Sequence, residues 1–156
     1  MQSEINIRPA VAADMPAVLA LIKELAEYER APEEVTVTAE DLVRDGFGEC
    51  PRFHCFVAEE NKKVTGIALY YISYSTWKGS CLFLEDIVVT QSERRRGIGK
   101  MLFEEVIRAA KKMNAKRMSW QVLDWNEPAI KFYEKYNPEI LREWLNFRLT
   151  EEKLKK

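Results

Sequence analysis

The sequence predicts an α/β (α+β) fold in which about four helices flank a mixed central β-sheet with an antiparallel N-terminal meander. Three segments rich in β-branched and aromatic residues, between residues 53 and 89, are separated only by short polar turns. This spacing predicts consecutive antiparallel strands. A strand, a helical pattern and another strand then follow, which predicts a parallel pair and so a mixed sheet. The length of 156 residues is typical of one domain, and we expect residues 1–156 to form it.

The elements before this meander are predicted from periodicity and capping residues. Thr38 and Asp41 have the spacing of a capping box, which predicts a helix start. The predicted elements are a strand at residues 5–8, a helix after Asp14 that reaches Arg30, and a second helix from Thr38 to about Asp45, ended by Gly46.

The sheet and the C-terminal elements are predicted in the same way. Asn126 followed by Pro128 has the form of a helix cap with proline in the first turn. The predicted strands are residues 53–59, 64–74, 81–89 and 117–123, with a last strand or hairpin at 140–149. The predicted helices run from the glycine-containing turn to about residue 114, and from Asn126 to the stop at Asn137-Pro138.

The turn between the strand at 81–89 and the next helix is predicted to bind an anion. Arg94, Arg95 and Arg96 precede Gly97 and Gly99, directly before an apolar helical pattern. The first N–H groups of a helix lack partners, and the helix dipole adds partial positive charge there. Glycines allow close approach, and arginines suit phosphate oxygens. A phosphate-bearing ligand is therefore expected, although an exposed basic turn remains the alternative.

Two common phosphate-binding motifs do not fit this turn. A P-loop requires Ser or Thr after Gly99-Lys100, and the residue there is Met101. A dinucleotide fingerprint requires a third glycine where Leu102 stands. The pattern Arg-x-x-Gly-x-Gly after a strand is instead similar to the acetyl-CoA pyrophosphate loop of the GNAT N-acetyltransferase superfamily.

Composition narrows the partners and the compartment. The net charge is −1, which provides no field to attract nucleic acid or membrane, and no apolar run approaches a membrane span of ~20 residues. Cys50, Cys55 and Cys81 are odd in number and lack metal-site spacing. We therefore expect no nucleic-acid or membrane partner, no metal, and a reducing, cytoplasmic environment.

Several short segments, in one order, extend the resemblance over residues 7 to about 136. They are residues 24–29, 45–48, 53–55, 57–59, 74–79, 84–86, 94–99 and 122–126. They resemble the diamine acetyltransferase family, which includes spermidine/spermine N1-acetyltransferases and thialysine Nε-acetyltransferases. The resemblance implies the GNAT acyl-CoA N-acyltransferase fold, acetyl-CoA as cosubstrate, a small-molecule amine substrate and a homodimer. Ser75, where polyamine-acetylating members tend to carry Asp, and residues 122–126 favour the thialysine branch.

The resemblance also implies which residues bind acetyl-CoA. Backbone N–H groups near Ile87 and Val89 would be freed by a bulge that separates two strands, and Asn126 would contact pantetheine. The predicted acetyl-CoA contacts are Ile87, Val88, Val89, Arg94, Arg95, Arg96, Gly97, Ile98, Gly99, Lys100, Asn126 and Tyr133.

Glu85, Asp86 and Tyr133 are the candidates for chemistry. A protonated amine must lose a proton, and a leaving thiolate must gain one. Two adjacent acids interrupt an apolar strand, where an unpaired carboxylate is costly, and regular alternation sends them to opposite faces. The resemblance implies that Glu85 is the base, through water, and Tyr133 the acid. The alternatives are acids paired with basic residues, and a tyrosine that belongs to the core.

The remaining candidates concern the amine. By resemblance, Tyr28 and Glu29 line the amine pocket at the end of the first helix, with Ser75, Glu85 and Asp86; a solvated helix end is the alternative for Tyr28 and Glu29. Trp77, in the hairpin, is a candidate for the pocket wall, with a cover of the core as the alternative. The predicted function is an acetyl-CoA-dependent N-acetyltransferase that acetylates a thialysine/lysine-like amino acid or diamine by direct transfer. The alternatives are a polyamine N1-acetyltransferase, a protein or peptide N-acetyltransferase, and a CoA-binding module without catalysis. Asn137-Pro138 replaces the family's Gly-Ala, and the segment from 139 to 144 is short for the family.

Overall fold

The computed structural model describes residues 3–156, in which five strands and five α-helices are found. The strands are β1 (Asn6–Pro9), β2 (His54–Glu60), β3 (Lys63–Ser75), β4 (Gly79–Val89) and β5 (Met118–Ser119). The helices are α1 (Met15–Tyr28), α2 (Ala39–Phe47), α3 (Ile98–Lys112), α4 (Glu127–Glu134) and α5 (Glu151–Leu154).

The strands form one sheet in the order β1-β2-β3-β4-β5. Neighbouring strands are antiparallel from β1 to β4, and β5 lies parallel to β4 after the crossover through α3. The predicted mixed sheet with an antiparallel meander is confirmed.

Helices α1 and α2 cover one face of the sheet. Met15 and Val18 of α1 have no exposed surface and belong to one apolar cluster with Val57, Ile67 and, from α2, Leu42. Burial of a side chain of this size stabilises the fold by about 1.5–3 kcal/mol. This cluster fixes the end of α1 beside β4.

Helix α3 covers the other face. Its buried residues Ile98 and Leu102 pack over Gly66 of β3, whose neighbour Ile67 belongs to the α1 cluster on the opposite face. Phe103 is also buried, and its ring meets Trp120 edge to face at 5.2 Å. This packing holds the N-terminus of α3 against the sheet, one short loop after the end of β4.

The capping box of α2 is present, but the predicted end of this helix is wrong. The Asp41 N–H donates to Thr38 Oγ1 (3.1 Å), and the Thr38 N–H donates to Asp41 Oδ2 (2.9 Å). The helix continues through Gly46 to Phe47. A Cβ at position 46 would lie 2.4 Å from the Phe53 ring, so this glycine makes room for an aromatic side chain and does not end the helix.

Contacts divide the chain into two compact units, one ending at Gln121 and the other spanning Val122–Lys156. In the second unit, Asn137 adopts the left-handed conformation (φ 52°) expected where the family has glycine. The predicted strand at 140–149 is wrong, since this segment contains no strand. Alternating apolar residues form a strand only with a hydrogen-bonding partner, and Leu145 and Phe147 remain 77% and 90% exposed.

No helix within residues 3–156 combines the length and the apolar character needed to cross a membrane.

Candidate active site

A β-bulge at Glu85 sets the direction of the two candidate acids. Leu84 pairs with Tyr70 and Asp86 pairs with Leu69, which leaves Glu85 as the extra residue of β4. Tyr70 and Leu69 are consecutive and so face opposite sides of the sheet, and their partners do the same. Regular alternation, which was the basis for placing the two acids on opposite faces, therefore does not hold here. Asp86 faces the α1 side, with Leu69.

Asp86 belongs to a group of three carboxylates. Its side chain is partly buried, and burial, followed by the charges of Glu85 and Glu29, raises its pKa to about 6. Burial also raises the pKa of Glu29, which directly follows the last residue of α1. Glu85 is exposed. No cation within residues 3–156 forms an ion pair with these three acids, so the group is suited to hold a positively charged ligand.

The bulge is also followed by an open edge of β4. β5 pairs only through Leu82 with Met118 and through Phe83 with Ser119. The fifth strand predicted at 117–123 is thus much shorter, and β4 beyond Phe83 has no strand on this side among the described residues.

Two N–H groups of β4 point to this open edge. The Thr90 N–H donates to the carbonyl of Thr65, at the β3 side, at 2.9 Å. Because successive N–H groups alternate along a strand, that of Val88 also points to β3, and those of Ile87 and Val89 point to the open edge. The side chain of Val88 is buried, so neither the N–H nor the side chain of this residue is available to a ligand at the open edge.

The turn before α3 has the conformation of an anion cradle. Arg95 and Gly97 have left-handed φ values of 65° and 77°. The Met101 N–H bonds the Gly97 carbonyl at 3.0 Å and closes the first turn, so the N–H groups before it, including those of Gly99 and Lys100, remain outside the helical hydrogen bonding. A Cβ at Gly97 would meet nothing within 4 Å. The donors and the space together fit a diphosphate.

Arg94 and Arg96 are held by other parts of the protein. Arg96 donates to both oxygens of Glu60 (2.7 and 2.9 Å) and to Glu93. Arg94 donates through Nε to the Val89 carbonyl (3.0 Å), and its guanidinium lies 5.6 Å from the centre of the Tyr28 ring. Both arginines already have protein partners.

Arg95 differs from its neighbours. Its side chain is exposed, and no hydrogen bond or ion pair of Arg95 is found within residues 3–156. Lys100 is exposed too, at 3.8 Å from Glu104, whereas the side chain of Ile98 is buried and only its backbone can face a ligand. Among the three arginines, Arg95 has the charge that is available to a phosphate.

Ser75 and Trp77 lie in the hairpin between β3 and β4. Ser75 Oγ accepts the N–H groups of Trp77 (3.2 Å) and Lys78 (3.1 Å), which closes the turn, and Trp77 is 84% exposed. From Gly79 to Glu85 the strand advances roughly 20 Å, at about 3.3 Å per residue. One chain therefore does not bring these two residues beside the carboxylates.

In the second unit, Asn126 is the N-cap of α4 and Tyr133 lies in its last turn. Asn126 caps this helix by accepting the Ala129 N–H at 3.4 Å. Tyr133 is buried, contacts the ring of Phe132, and burial raises the pKa of its phenol above the ordinary value. A raised pKa keeps the phenol protonated at neutral pH, as a proton donor requires.

Sequence reasoning missed a carboxylate that binds the loop. Glu24 accepts the Gln91 N–H (2.7 Å) and the Thr90 hydroxyl (3.0 Å), and lies 3.8 Å from Arg94. Its spacing of four residues before Tyr28, which places both on one helix face, was the available signal. No group of His, Cys, Asp and Glu suited to a metal ion is found in the described part of the chain.

Comparison with known proteins gives the same family. The sequence model of the acetyltransferase (GNAT) family matches residues 18–137. The chain is 39% identical over 162 residues to a thialysine N-epsilon-acetyltransferase of Bos taurus, covering 97% of this chain and 95% of that protein. It is 38% identical over 159 residues to human spermidine/spermine N(1)-acetyltransferase-like protein 1, covering 96% of this chain and 23% of that protein.

A solved structure shows the same fold. An integron cassette protein from the mobile metagenome of V. cholerae superposes with a TM-score of 0.79 at 24% identity, covering 97% of this chain and 95% of that chain.

Proposed function

Because the chain belongs to the acetyltransferase (GNAT) family, we propose that it transfers the acetyl group of acetyl-CoA to a primary amine of a small cationic substrate. Amine N-acetylation is the activity of the family, and the resemblance recognised in the sequence is confirmed. The class of amine, the site residues and the assembly are the parts proposed. The observation that carries the choice of a cationic substrate is the group formed by Glu29, Glu85 and Asp86, which has no basic partner within residues 3–156.

Acetyl-CoA supplies the thioester that carries the acetyl group and a thiolate leaving group. In the proposal, the backbone at residues 95–100 binds its diphosphate, with Arg95 as the charged contact. The N–H groups of Ile87 and Val89 bind its pantetheine and thioester oxygen along the open edge of β4. The left-handed turn at Gly97 and the unpaired edge after Phe83 support this assignment.

In the proposal, Glu85 and Asp86 have different roles toward the amine. Asp86, partly buried and facing the α1 side, holds the ammonium group together with Glu29, and Tyr28 forms the adjacent wall. Glu85, exposed at the bulge, accepts the proton through water, which leaves a neutral nitrogen able to attack the acyl carbon. The lone pair of this nitrogen forms the new C–N bond as the C–S bond breaks.

Tyr133 completes the proposed chemistry as the proton donor to the sulfur. Its raised pKa supports this role because the phenol stays protonated at neutral pH. Asn126 is retained as a pantetheine contact. Both roles rest on the family resemblance.

The amine is best tested by a panel of specificity constants. We expect thialysine and lysine to give the largest kcat/KM, short diamines to follow, and spermidine, spermine and an unacetylated peptide to be the poorest. A preference for spermidine would establish the polyamine alternative, and a preference for the peptide the protein-acetylating one. Binding of CoA without acetylation of any amine would overturn the proposed function.

Ser75 offers a substitution that sharpens this panel. An aspartate can still accept the two turn N–H groups, so Ser75→Asp preserves the hairpin and adds an acid. We expect a relative gain for spermidine over lysine. Thr76→Asp, which adds the same charge one residue away in the same turn, is the matched control.

The domain organisation, the compartment and the oligomeric state are also part of the proposal. We propose that residues 1–156 form one catalytic domain, because the family match runs across the division at Gln121. We also propose a cytoplasmic homodimer that binds neither nucleic acid nor membrane. The exposed apolar residues of the C-terminal segment, Trp144, Leu145 and Phe147, support a dimer, and light scattering tests it.

A further inference from the structure

We infer that Glu24 is a positioning residue that holds the coenzyme loop, residues 90–97, in the conformation that binds a diphosphate. The inference rests on the proposed acetyl-CoA-dependent function. It adds a residue of α1 to a site otherwise built from β4 and α3.

Glu24 makes three contacts with the beginning of this loop. Its two carboxylate oxygens accept the Thr90 hydroxyl at 3.0 Å and the Gln91 N–H at 2.7 Å. The Arg94 guanidinium lies 3.8 Å away, and the ring of Tyr28, one helical turn after Glu24, lies beneath it at 5.6 Å. One face of α1 therefore fixes both ends of the turn from Thr90 to Arg94.

The position of this turn matters because the cradle follows directly. Arg94 is succeeded by Arg95 and Gly97, whose left-handed conformations direct the backbone into α3. The other end of the loop is fixed independently, since Arg96 is bound by Glu60 of β2. Without Glu24 the loop loses its hydrogen bonds to α1 and samples more conformations before the coenzyme binds.

The sign of the effect separates this role from simple electrostatics. A carboxylate near a diphosphate site repels the ligand, so removal of its charge alone would tighten CoA binding. A positioning carboxylate has the opposite effect, because its loss loosens the loop. We expect Glu24→Ala to weaken CoA binding about tenfold, which corresponds to the loss of charge-assisted hydrogen bonds partly replaced by water.

Glu24→Gln is the conservative rescue. Its carbonyl can accept the Gln91 N–H and its amide can donate to the Thr90 hydroxyl, so both contacts survive without the charge. We expect a loss below threefold. Thr90→Val removes one contact only, and its effect should be less than additive with Glu24→Ala because both act through the same bond.

The measurements are CoA titration by calorimetry and steady-state kinetics with acetyl-CoA and the best amine varied separately. We expect the KM for acetyl-CoA to rise with the dissociation constant, with the KM for the amine and kcat changed less than twofold. Glu27→Ala, an equal charge change on an exposed position of the same helix, is the matched control and should leave CoA binding unchanged.

CoA binding by Glu24→Ala that equals or exceeds that of the unaltered protein, or that matches Glu27→Ala, overturns the inference. Should the alanine variant not fold, the Thr90→Val titration decides it by the same criterion. A protein that binds CoA but acetylates no amine refutes the proposed function, while the CoA titrations still test Glu24.

Discussion

The two ends of β4 differ in how firmly the chain holds the residues that follow or precede them. After Val89, the loop is bound by Glu24 of α1 and Glu60 of β2, so its backbone is preorganised. Before Gly79, the hairpin tip is closed by Ser75, but its aromatic side chains, including Trp77, project into solvent. The chain itself therefore holds the proposed coenzyme end in place, whereas the hairpin end presents exposed aromatic surface that the proposed homodimer would cover.

Between these ends lies the bulge, and the largest expected effect concerns Asp86. Asp86→Asn removes the ammonium partner, so we expect kcat/KM for the amine to fall about a hundredfold with CoA binding unchanged. In the unaltered protein, kcat/KM should decline below about pH 6, where Asp86 takes up a proton. A pH–rate profile checks this, and an unchanged kcat/KM in the variant would remove Asp86 from the amine site.

The same substitution should stabilise the fold. The pKa of Asp86 is raised from 3.8 to about 6, so between these pH values the folded state retains a proton that the unfolded state has lost. Stability therefore falls as pH rises through this window, by at most about 3 kcal/mol. Asp86→Asn lacks this dependence. In urea unfolding, the free energy of unfolding of Asp86→Asn should exceed that of the unaltered protein by an amount that grows from pH 4 to pH 6 and is constant above. Equal free energies of unfolding at pH 7 would contradict a partly buried, unpaired Asp86.

At the preorganised end, Gly97→Ala is the next largest effect. At φ 77° an alanine costs about 1–2 kcal/mol, and no clash is expected because the space around its Cβ is empty. We expect CoA binding to weaken roughly tenfold. Gly79→Ala, which also places an alanine at a positive φ (104°) without a close contact but in the β3–β4 hairpin outside the loop, is the control. Equal CoA affinities in both variants would show that the left-handed turn is not needed.

Arg95 and Arg96 should behave differently despite being neighbours. Arg95→Ala is expected to weaken CoA binding roughly fivefold, with a loss that shrinks at high salt, because the exposed guanidinium is free to contact phosphate. Arg96→Ala should lower the melting temperature and weaken CoA binding by a factor that salt does not change, because its guanidinium is bound to Glu60 and Glu93 and holds the loop, not the phosphate. CoA titration at low and high salt, together with thermal melting of both variants, distinguishes the phosphate contact from the structural contact. A salt-dependent loss of CoA binding in Arg96→Ala and a lower melting temperature in Arg95→Ala would exchange the two roles.

Local signals in the sequence predicted the elements of this site, while distant contacts decided its details. The turn at Gly97 and the cap at Asn126 depend on neighbouring residues, and both were predicted. The resemblance implied a bulge in this strand, but its place at Glu85 depends on register with β3, which no local pattern contains. Likewise, Glu24 and Glu60 contact the loop across sequence separations of 67 and 36 residues. The side-chain partners of Arg94 and Arg96 could therefore not be predicted from local sequence.

The smallest effect is expected at the hairpin end. Within one chain Trp77 lies roughly 20 Å along the strand from Glu85. It can therefore line the amine pocket only of a second copy, as in the proposed homodimer. We expect Trp77→Ala to raise the KM for the amine about threefold with the KM for acetyl-CoA unchanged, and Tyr74→Ala, an aromatic residue that is also largely exposed in the same hairpin, serves as the control.

Mixing chains makes this test decisive. A heterodimer of Trp77→Ala and Asp86→Asn chains contains one pocket with both residues intact and one that lacks both. We expect the reassociated mixture to have more activity at low amine concentration than the mean of the two separate variants. Activity equal to that mean would place Trp77 outside the pocket of a second chain, and the hairpin tip would then be a surface that the amine does not contact.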